Sequence, residues 1–336
     1  MAAKDSRIAL AHGNGGRFMR ELIRDLFAAR LANPALDVDL DAVAVPLDAT
    51  EIMLTTDGFT VQPLEFPGGN IGSLAIHGTV NDLAVAGALP RYLTLNAIIE
   101  EGTEMALLER VVDAMAAAAA ECGVAVVAGD TKVVGRGECG GVYLATTGIG
   151  LRLDGPRLGP RRIRPGDRVL VSGPVGDHGA AVLLAREQFG MHGELRSDAA
   201  SVLPAAQALL RCPGLRFMRD PTRGGLATVA NEITRMTGLG LRLDEAAIPV
   251  SDPVAGVCEL LGYDPLYLAC EGRIVAIVAA DEAGRARDLL EGSGAAPAPT
   301  IIGTVGNAPP GVVLQTTLGG ERMLDELEDD PLPRIC

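Results

Sequence analysis

Strand-like and helix-like segments alternate along both halves of this 336-residue chain, and the alternation constrains the fold more than any other feature. In the first half the clearest helix is alanine-rich and runs from Glu104 to Cys122, with Gly123 positioned to end it. In the second half the predicted strands are at 167–172, 274–279 and 300–305, and the predicted helices at 179–189, 199–210, 225–237 and 282–290. Alternation of this kind predicts the α/β class.

A segment rich in proline and arginine separates the two halves. Residues 154–165 contain three prolines and four arginines, a composition typical of the exposed connection between two domains. The length of the chain also suits two domains of ordinary size. We therefore predict an N-terminal glycine-rich loop and helix at 1–40, an α/β domain at 41–153, a second α/β domain at 163–320, and a flexible tail at 321–336.

The composition limits the kinds of partner. Hydrophobic residues make up 48% of the chain, so each half can bury a core. The net charge of −14 argues against a nucleic-acid ligand but not against phosphate, because Mg²⁺ bridges carboxylates and phosphates. We see no membrane-length apolar run, no secretory leader and no C-x-x-C pair among the six cysteines. We therefore expect a cytoplasmic protein that contacts neither nucleic acid nor membrane.

Five aspartates lie in short polar segments at predicted strand ends and helix starts. They are Asp57, Asp82, Asp130, Asp177 and Asp220. Each alone is most often a turn or helix-cap residue. Two of the segments also carry a cation, Lys132 and Arg223, and carboxylate oxygens are the ligands that Mg²⁺ prefers. Five such segments in one acidic chain favour a Mg²⁺–nucleotide site.

Two glycine-rich segments, 12–16 and 66–72, precede predicted helices. Their glycines let backbone N–H groups approach phosphates, although a plain loop is an equal alternative for each. The P-loop signature is absent from the sequence. One G-x-G-x-x-G match, at 135–140, precedes a strand-like segment and not a helix, so we interpret it as a hairpin turn.

The chain ends in Cys336, after an acidic run at 325–330 and two prolines. These residues predict a solvated, extended tail. A dozen extended residues span roughly 40 Å, so the terminal thiol can reach another protein. From composition alone, however, a disordered end that happens to stop at cysteine is the preferred interpretation.

Several of these segments together resemble one family. They are HGNGG at 12–16, PLEFPGGNIGSLAIHGTVNDLAVAGALPRYL at 63–93, GDTKVV at 129–134, GDHGA at 176–180, DPTRGG at 220–225 and PRIC at 333–336. The resemblance is to the HypE family of hydrogenase maturation factors (carbamoyl dehydratases), within the AIR-synthetase-like, or PurM-like, ATP-binding superfamily. It covers the chain from His12 to Cys336, and the PRIC end is what narrows it to this family.

The resemblance implies a two-domain PurM-like fold with an extended C-terminal tail, assembled as a homodimer. It implies that a carbamoyltransferase, HypF, loads a carbamoyl group on the thiol of Cys336. With ATP and Mg²⁺ the S-carboxamide is then dehydrated to a thiocyanate, and the cyanide passes to iron on a HypC–HypD scaffold for [NiFe]-hydrogenase. An amide oxygen leaves poorly unless it is phosphorylated, so ATP and a water-poor pocket suit this chemistry.

The resemblance also implies roles for individual residues. The expected Mg²⁺ ligands are Asp57, Asp82, Asp130 and Asp220. The other expected ATP and Mg²⁺ contacts are Gly13, Gly15, Gly16, Asn70, Thr131, Asp177, Thr222 and Arg223. Lys132 and Arg223 are expected to compensate charge on the transferred phosphoryl group, and Cys336 to carry the substrate. Glu271 and His178 are candidate proton acceptors.

Two alternatives stay open at this point. One is another ATP-dependent enzyme of the superfamily that phosphorylates a small molecule, such as a selenophosphate or thiamine-phosphate enzyme. The other is a nonenzymatic carrier that presents Cys336 to its partners. The first leaves the terminal cysteine without a use, and the second leaves the aspartate segments unexplained. Failure to bind Mg-ATP would favour the carrier.

Overall fold

The computed structural model describes residues 7–13, 17–38, 43, 45–48, 51–187, 195–327 and 335. The chain divides into two compact units. Unit 1 contains Met1–Leu83 and Ala88–Arg152, and unit 2 contains Ala84–Gly87 and Leu153–Ile335. Each unit has a mixed sheet and its own helices, so the predicted α/β class is confirmed. Within the described residues, no helix is both long enough and apolar enough to cross a bilayer.

Unit 1 is built on a four-stranded sheet. Its strands are β1 (Ile52–Phe59), β4 (Ala88–Glu100), β5 (Ala125–Val134) and β6 (Val142–Arg152), with a two-stranded ribbon of β2 (Glu65–Phe66) and β3 (Gly69–Asn70) beside them. Its helices are α1 (Arg17–Leu22), continued by a π-helix at Ile23–Ala28, then α2 (Ile71–Val85) and α3 (Met105–Cys122). The strand order is β1-β6-β4-β5, with β4 and β5 parallel and the other neighbours antiparallel.

This sheet has one covered face and one open face. Along β4, Leu95 is buried while Asn96 and Ile98 are exposed, which follows the period of two in a strand. On the covered face, Thr146 of β6 contacts α2 through a hydroxyl–hydroxyl bond with Thr79. The open face exposes the apolar side chains of Ile52, Leu54 and Ile98. A sheet whose strands are mostly antiparallel tolerates one such uncovered face, but apolar side chains there are typical of an interaction surface.

The segment that matches G-x-G-x-x-G is a turn but not a hairpin. Strands β5 and β6 each pair with β4 and not with one another, so residues 135–141 cross from one side of β4 to the other. The Glu100 carboxylate accepts the N–H groups of Gly137 and Gly141, at 2.9 and 3.2 Å. The hairpin prediction is wrong because a local turn signal does not specify which strands pair.

Unit 2 contains a seven-stranded sheet. Its strands are β7 (Arg168–Val171), β8 (Leu215–Arg219), β9 (Gly240–Asp244), β10 (Val275–Val278), β11 (Thr300–Val305), β12 (Gly311–Gln315) and β13 (Glu321–Met323). Its helices are α4 (Asp177–Glu187), α5 (Leu203–Leu210), α6 (Gly225–Thr237), α7 (Asp252–Leu261) and α8 (Ala283–Gly292). The strand order is β13-β12-β9-β11-β7-β10-β8, and β12 runs parallel to β9.

Helices cover both faces of this sheet. Val275 of β10 belongs to one buried cluster together with Leu226 of α6. Its neighbour Ala276 belongs to a second buried cluster, with Leu209 of α5 and Leu290 of α8. Because both faces are buried, β10 is an unbroken apolar run and does not alternate between apolar and polar residues.

The segment that we predicted to be a flexible tail begins as part of unit 2. Residues Glu321–Met323 form β13, and the N–H of Leu324 donates to the Val312 carbonyl at 2.9 Å. The Asn231 amide binds the Leu324 carbonyl at 2.9 Å, and the Tyr267 hydroxyl binds the Asp325 carbonyl at 2.8 Å. The prediction is therefore wrong for residues 321–325. Residues 328–334 and Cys336 lie outside the described residues.

A close approach between α2 and α3 gives a test of the unit 1 core. A Cβ on Gly72 would overlap the carbonyl oxygen of Val111. We expect Gly72→Ala to lower the free energy of unfolding by about 1–3 kcal/mol, because the helices must move apart. The matched control is Gly256→Ala in α7, where nothing lies within 4 Å of the added Cβ, and we expect a gain of about 0.5–1 kcal/mol. Denaturant unfolding measures both changes, and equal stabilities would contradict the close approach.

Candidate active site

Asp130 and Lys132 lie inside a strand and not in the loop that we predicted. Strand β5 continues through Val134, so side chains alternate: Thr131 is buried, while Asp130 and Lys132 are exposed. The Lys132 Nζ lies 2.8 Å from Asp130 Oδ2, and the Thr131 N–H donates to Asp130 Oδ1 at 2.8 Å. These contacts, the one with Lys132 foremost, hold the pKa of the Asp130 carboxyl below its usual value. Asp130 is therefore an ionised carboxylate paired with a cation.

The start of the first glycine-rich segment lies against this strand. A Cβ on Gly13 would stand 2.5 Å from the backbone nitrogen of Val133, so this position requires glycine. His12 is buried beside it and accepts the N–H of Ala9 on Nδ1 at 3.1 Å. The structure therefore brings Gly13 close to the residue that follows Lys132. Gly15 and Gly16 lie outside the described residues.

An apolar cavity of about 90 Å³ borders the same part of β5. Phe27 and Leu31 line it from the helical segment after α1, and Leu95 and Val126 from the sheet. Its polar end is formed by residues 129–131. The cavity thus offers an apolar surface bordered by the Gly129–Thr131 segment of β5.

Asp57 and Asp82 lie on the other face of the sheet. Asp57 of β1 stands directly opposite Thr146, which faces α2, so the Asp57 side chain shares that covered face. Asp82 of α2 accepts the hydroxyl of Thr55 at 2.7 Å, and Thr55 is two residues before Asp57 on the same face. The structure therefore brings Asp57 and Asp82 to one side of the sheet.

The four predicted magnesium ligands do not form one ready cluster. Asp130 is on the open face of β5, and two strands separate β5 from β1, a distance of about 14 Å. Asp220 belongs to unit 2. Across the described residues, no three His, Cys, Asp or Glu side chains are placed to hold a metal ion together. Period-two alternation explains the separation, because it puts Asp57 and Asp130 on opposite faces.

Asn70 has a structural task that the sequence did not reveal. Its side-chain oxygen accepts the N–H groups of Gly72 and Ser73, at 2.9 and 3.1 Å. Its amide nitrogen donates to the Arg110 carbonyl at 3.3 Å. Asn70 therefore caps the start of α2, and the same residue type that suits a phosphate loop also suits a helix cap.

In unit 2, buried charged groups surround the start of α4. Asp177 accepts the Ser251 hydroxyl at 2.9 Å and faces Arg273 Nη2 at 3.4 Å, while burial raises the pKa of its carboxyl. Arg273 Nε also faces Asp198 at 3.6 Å. The Asp198 carboxylate accepts the N–H groups of Glu271 and Gly272, at 3.1 and 3.2 Å. These contacts hold the 271–273 segment beside α4.

The predicted loop 220–225 borders the same segment. The Cys270 N–H donates to the Pro221 carbonyl at 2.9 Å. Asp220 is buried, Thr222 is half-buried and Arg223 is exposed. Unit 2 therefore brings Asp177, His178 and the 220–225 loop close to the segment that contains Glu271.

His178 holds the end of the chain. Its side chain is fully buried, and Nε2 lies 2.7 Å from the carbonyl oxygen of Ile335. Its Nδ1 lies 2.8 Å from Ser197 Oγ, and Ser197 also accepts the Ala199 N–H at 3.0 Å. Ile335 is only 3% exposed. The penultimate residue is thus docked in unit 2, although Cys336 itself lies outside the described residues.

Sequence reasoning missed several residues of this site: Ser197, Asp198, Ser251 and Arg273. Asp198 and Arg273 are separated by 75 positions, and no local pattern joins them. The one available signal in the sequence was the Glu271-Gly272 pair before a predicted strand. The structure explains the glycine, because a Cβ on Gly272 would overlap the Asp198 carbonyl oxygen. That signal indicated a close approach without naming its partner.

Comparison with domain families matches both halves of the chain. Residues 39–152 match the N-terminal domain of AIR synthase related proteins. Residues 164–315 match the C-terminal domain of the same proteins. The two matches together cover most of units 1 and 2.

Comparison with named proteins extends the similarity to nearly the whole chain. The carbamoyl dehydratase HypE of Azotobacter vinelandii is 45% identical over 335 residues, covering 99% of this chain and 98% of that protein. A crystal structure of hydrogenase maturation protein HypE in complex with ATP is 43% identical, with a TM-score of 0.93, and covers 98% of this chain and 99% of that one. A HypE–HypF complex is 41% identical, with a TM-score of 0.80 and coverage of 91% and 99%.

The ion pair on β5 predicts a measurable change in the titration of Asp130. We expect Lys132→Met to raise the Asp130 pKa toward its ordinary value, because Lys132 is the largest cause of the lowering. A carboxyl whose pKa is lowered in the folded protein stabilises the fold at pH values above the ordinary carboxyl pKa. This stabilisation is lost as the pH falls through the lowered pKa. Carboxyl NMR measures the titration, and Lys132→Arg is the control that keeps a cation. An unchanged pKa in Lys132→Met would assign the lowering to the Thr131 N–H.

Proposed function

The chain belongs to the HypE family, and we propose that it is an ATP-dependent carbamoyl dehydratase whose substrate is its own last residue. In this proposal Cys336 carries an S-carboxamide, which is dehydrated to a thiocyanate that supplies cyanide for the iron of [NiFe]-hydrogenase. The observation that carries it is the docking of Ile335 on His178, within a group of buried charged residues. Cys336 is the next residue in the sequence, and consecutive Cα atoms are only about 3.8 Å apart.

The dehydration needs the carboxamide to lose its oxygen and both N–H protons. Transfer of the γ-phosphoryl group of ATP to the carboxamide oxygen releases ADP, and one N–H proton leaves. Loss of phosphate then breaks the C–O bond, and departure of the second proton completes the C≡N bond. The buried carboxylate of Glu271 is the proposed proton acceptor, because the Asp198 contacts fix its backbone within the same group.

Unit 1 supplies the residues proposed for the nucleotide. Lys132 stands beside a glycine-rich segment and is suited to stabilise charge on a transferred phosphoryl group. The apolar cavity beside residues 129–131 supports placing the nucleotide next to this part of β5. Asp57 and Asp82 are hard oxygen donors on one side of the sheet, and we propose them as Mg²⁺ ligands. For Asp130 and Asp220 a role as ligands stays a prediction from the sequence. When bound, Mg²⁺ would neutralise phosphate charge.

We propose three kinds of partner. A HypE of known structure forms a complex with HypF, which supports a carbamoyltransferase of that kind as the donor for Cys336. The acceptor of the cyanide is proposed to be a HypC–HypD iron scaffold. The exposed Ile52, Leu54 and Ile98 on the open face of unit 1 support pairing with a second copy of this chain.

The carrier alternative and the enzyme differ in one product. We expect carbamoylated protein to lose one water from its C-terminal peptide when Mg-ATP is added, as measured by mass spectrometry. Cys336→Ala should accept no carbamoyl group while keeping its fold and its ATP binding, because no other thiol is proposed as carrier. The matched control is Cys139→Ser, which changes the half-buried thiol of the 135–141 turn. A carbamoyl group that stays intact with Mg-ATP would favour the carrier.

The proposed metal ligands predict a separation of the two half-reactions. We expect Asp82→Asn and Asp130→Asn each to slow ATP-dependent water loss about 10²-fold or more while carbamoyl loading continues. Asp82→Asn can keep the Thr55 hydrogen bond through its amide oxygen, so its fold should persist. Asp288→Asn, an exposed change on α8, serves as the control. Wild-type water loss in both variants would remove these aspartates from the site.

A further inference from the structure

We propose that His178 is a positioning residue. It binds the backbone carbonyl of Ile335 and so fixes the position of the last residue of the chain. This inference rests on the proposed function and changes the role that the sequence suggested for His178, which was that of a proton acceptor. It identifies Ser197, for which no motif gave a role, as the partner that orients the histidine. The geometry of three consecutive hydrogen bonds carries the argument.

The direction of each hydrogen bond follows from its acceptor. A carbonyl oxygen only accepts, so His178 Nε2, 2.7 Å from the Ile335 oxygen, must carry the proton. Burial lowers the pKa of His178, so the ring is neutral and Nδ1 presents a lone pair. The Ser197 hydroxyl, 2.8 Å away, then donates to Nδ1 while its oxygen accepts the Ala199 N–H. Three hydrogen bonds therefore run in one direction: from the Ala199 N–H to Ser197, from the Ser197 hydroxyl to His178, and from His178 to the Ile335 carbonyl.

This arrangement does not suit a general base. A base must direct a lone pair at the proton that it removes. In His178 the Nδ1 lone pair faces Ser197, and Nε2 is a donor to the chain itself. The imidazole therefore holds the substrate-bearing segment and leaves proton removal to another group.

Recognition of a backbone group makes the site sensitive to position in the chain. The His178 N–H bonds the same carbonyl whatever side chain residue 335 carries, while the buried Ile335 side chain adds apolar contact. Once that carbonyl is fixed, the thiol one residue later can reach only a small volume. Inserting one glycine between Ile335 and Cys336 keeps the anchor and the thiol but moves the thiol by about 3.5 Å.

The experiment separates docking from chemistry. His178→Phe keeps an aromatic ring but removes the donor, His178→Gln keeps an N–H donor, and Ser197→Ala removes the hydroxyl that orients the ring. Tyr267→Phe is the matched control, since it removes another hydrogen bond to a carbonyl of the same terminal segment, at Asp325. Each variant is made in a Cys139→Ser background, so that Cys336 is the accessible thiol and the buried cysteines do not compete.

Two readouts are measured for each variant. The first is the rate of Cys336 alkylation by iodoacetamide in the full chain, which needs neither ATP nor partner. We expect roughly a tenfold increase in His178→Phe, a smaller one in Ser197→Ala, and near wild-type values in His178→Gln and Tyr267→Phe. The second is single-turnover water loss from carbamoylated protein, which we expect to fall about 10²-fold in His178→Phe and in the glycine insertion.

Each outcome decides a specific point. Unchanged alkylation in His178→Phe would overturn the positioning role, and equal loss of water release in His178→Phe and His178→Gln with unchanged alkylation would restore the role of base. If wild type itself releases no water, the proposed function fails while the alkylation series still tests the docking. If His178→Phe does not fold, Ile335→Ser replaces it as the test. It removes the buried apolar side chain of residue 335, and we expect the same increase in Cys336 alkylation.

Discussion

The buried carboxylate of Asp198 is the group on which the unit 2 site depends. Its side chain is wholly enclosed, so its charge must be met inside the protein. Two backbone N–H groups of the 271–273 segment and the guanidinium of Arg273 meet it. Arg273 in turn faces Asp177, the residue before His178. This one buried charge therefore fixes the spacing between the Glu271 segment and the helix that holds the chain end. Removing either partner of such a pair costs about 3–5 kcal/mol, because the other charge is left buried.

The terminal segment is attached to unit 2 at two described places. Asn231 and Tyr267 bind the carbonyls of Leu324 and Asp325, and His178 binds the carbonyl of Ile335. The first attachment continues the sheet through β13, which makes it part of the fold. Within the described residues, the second consists of the His178–Ile335 hydrogen bond and the buried Ile335 side chain. The two attachments therefore differ in kind, and opening the second leaves the first in place.

Patterns within short stretches of sequence correctly predicted the features that depend on neighbouring residues, such as helices and their ends. Helix α6 occupies Gly225–Thr237, as its periodicity indicated, and Gly123 ends α3 in the left-handed conformation that a C-terminal glycine favours. The sequence could not show that β5 continues through Asp130, because Gly-Asp is a turn signal and only pairing with β4 overrides it. The docked end was equally hidden, since His178 and Ile335 are 157 positions apart. The motifs named Asp177, His178 and Glu271, but their connection through Asp198 and Arg273 exists only in three dimensions.

The strength of the second attachment suits a residue that must both dock and leave. A net hydrogen bond contributes about 0.5–1.5 kcal/mol, and a buried isoleucine side chain about 1.5–3 kcal/mol. Ordering the segment opposes both contributions by about 1–2 kcal/mol for each residue fixed. The net gain from docking is thus a few kcal/mol at most, so docking is readily reversible. Because the substrate is covalently attached, its local concentration is high without tight binding. A deep, high-affinity pocket would hold the thiol away from a partner, whereas this attachment holds the thiol in place and still releases it.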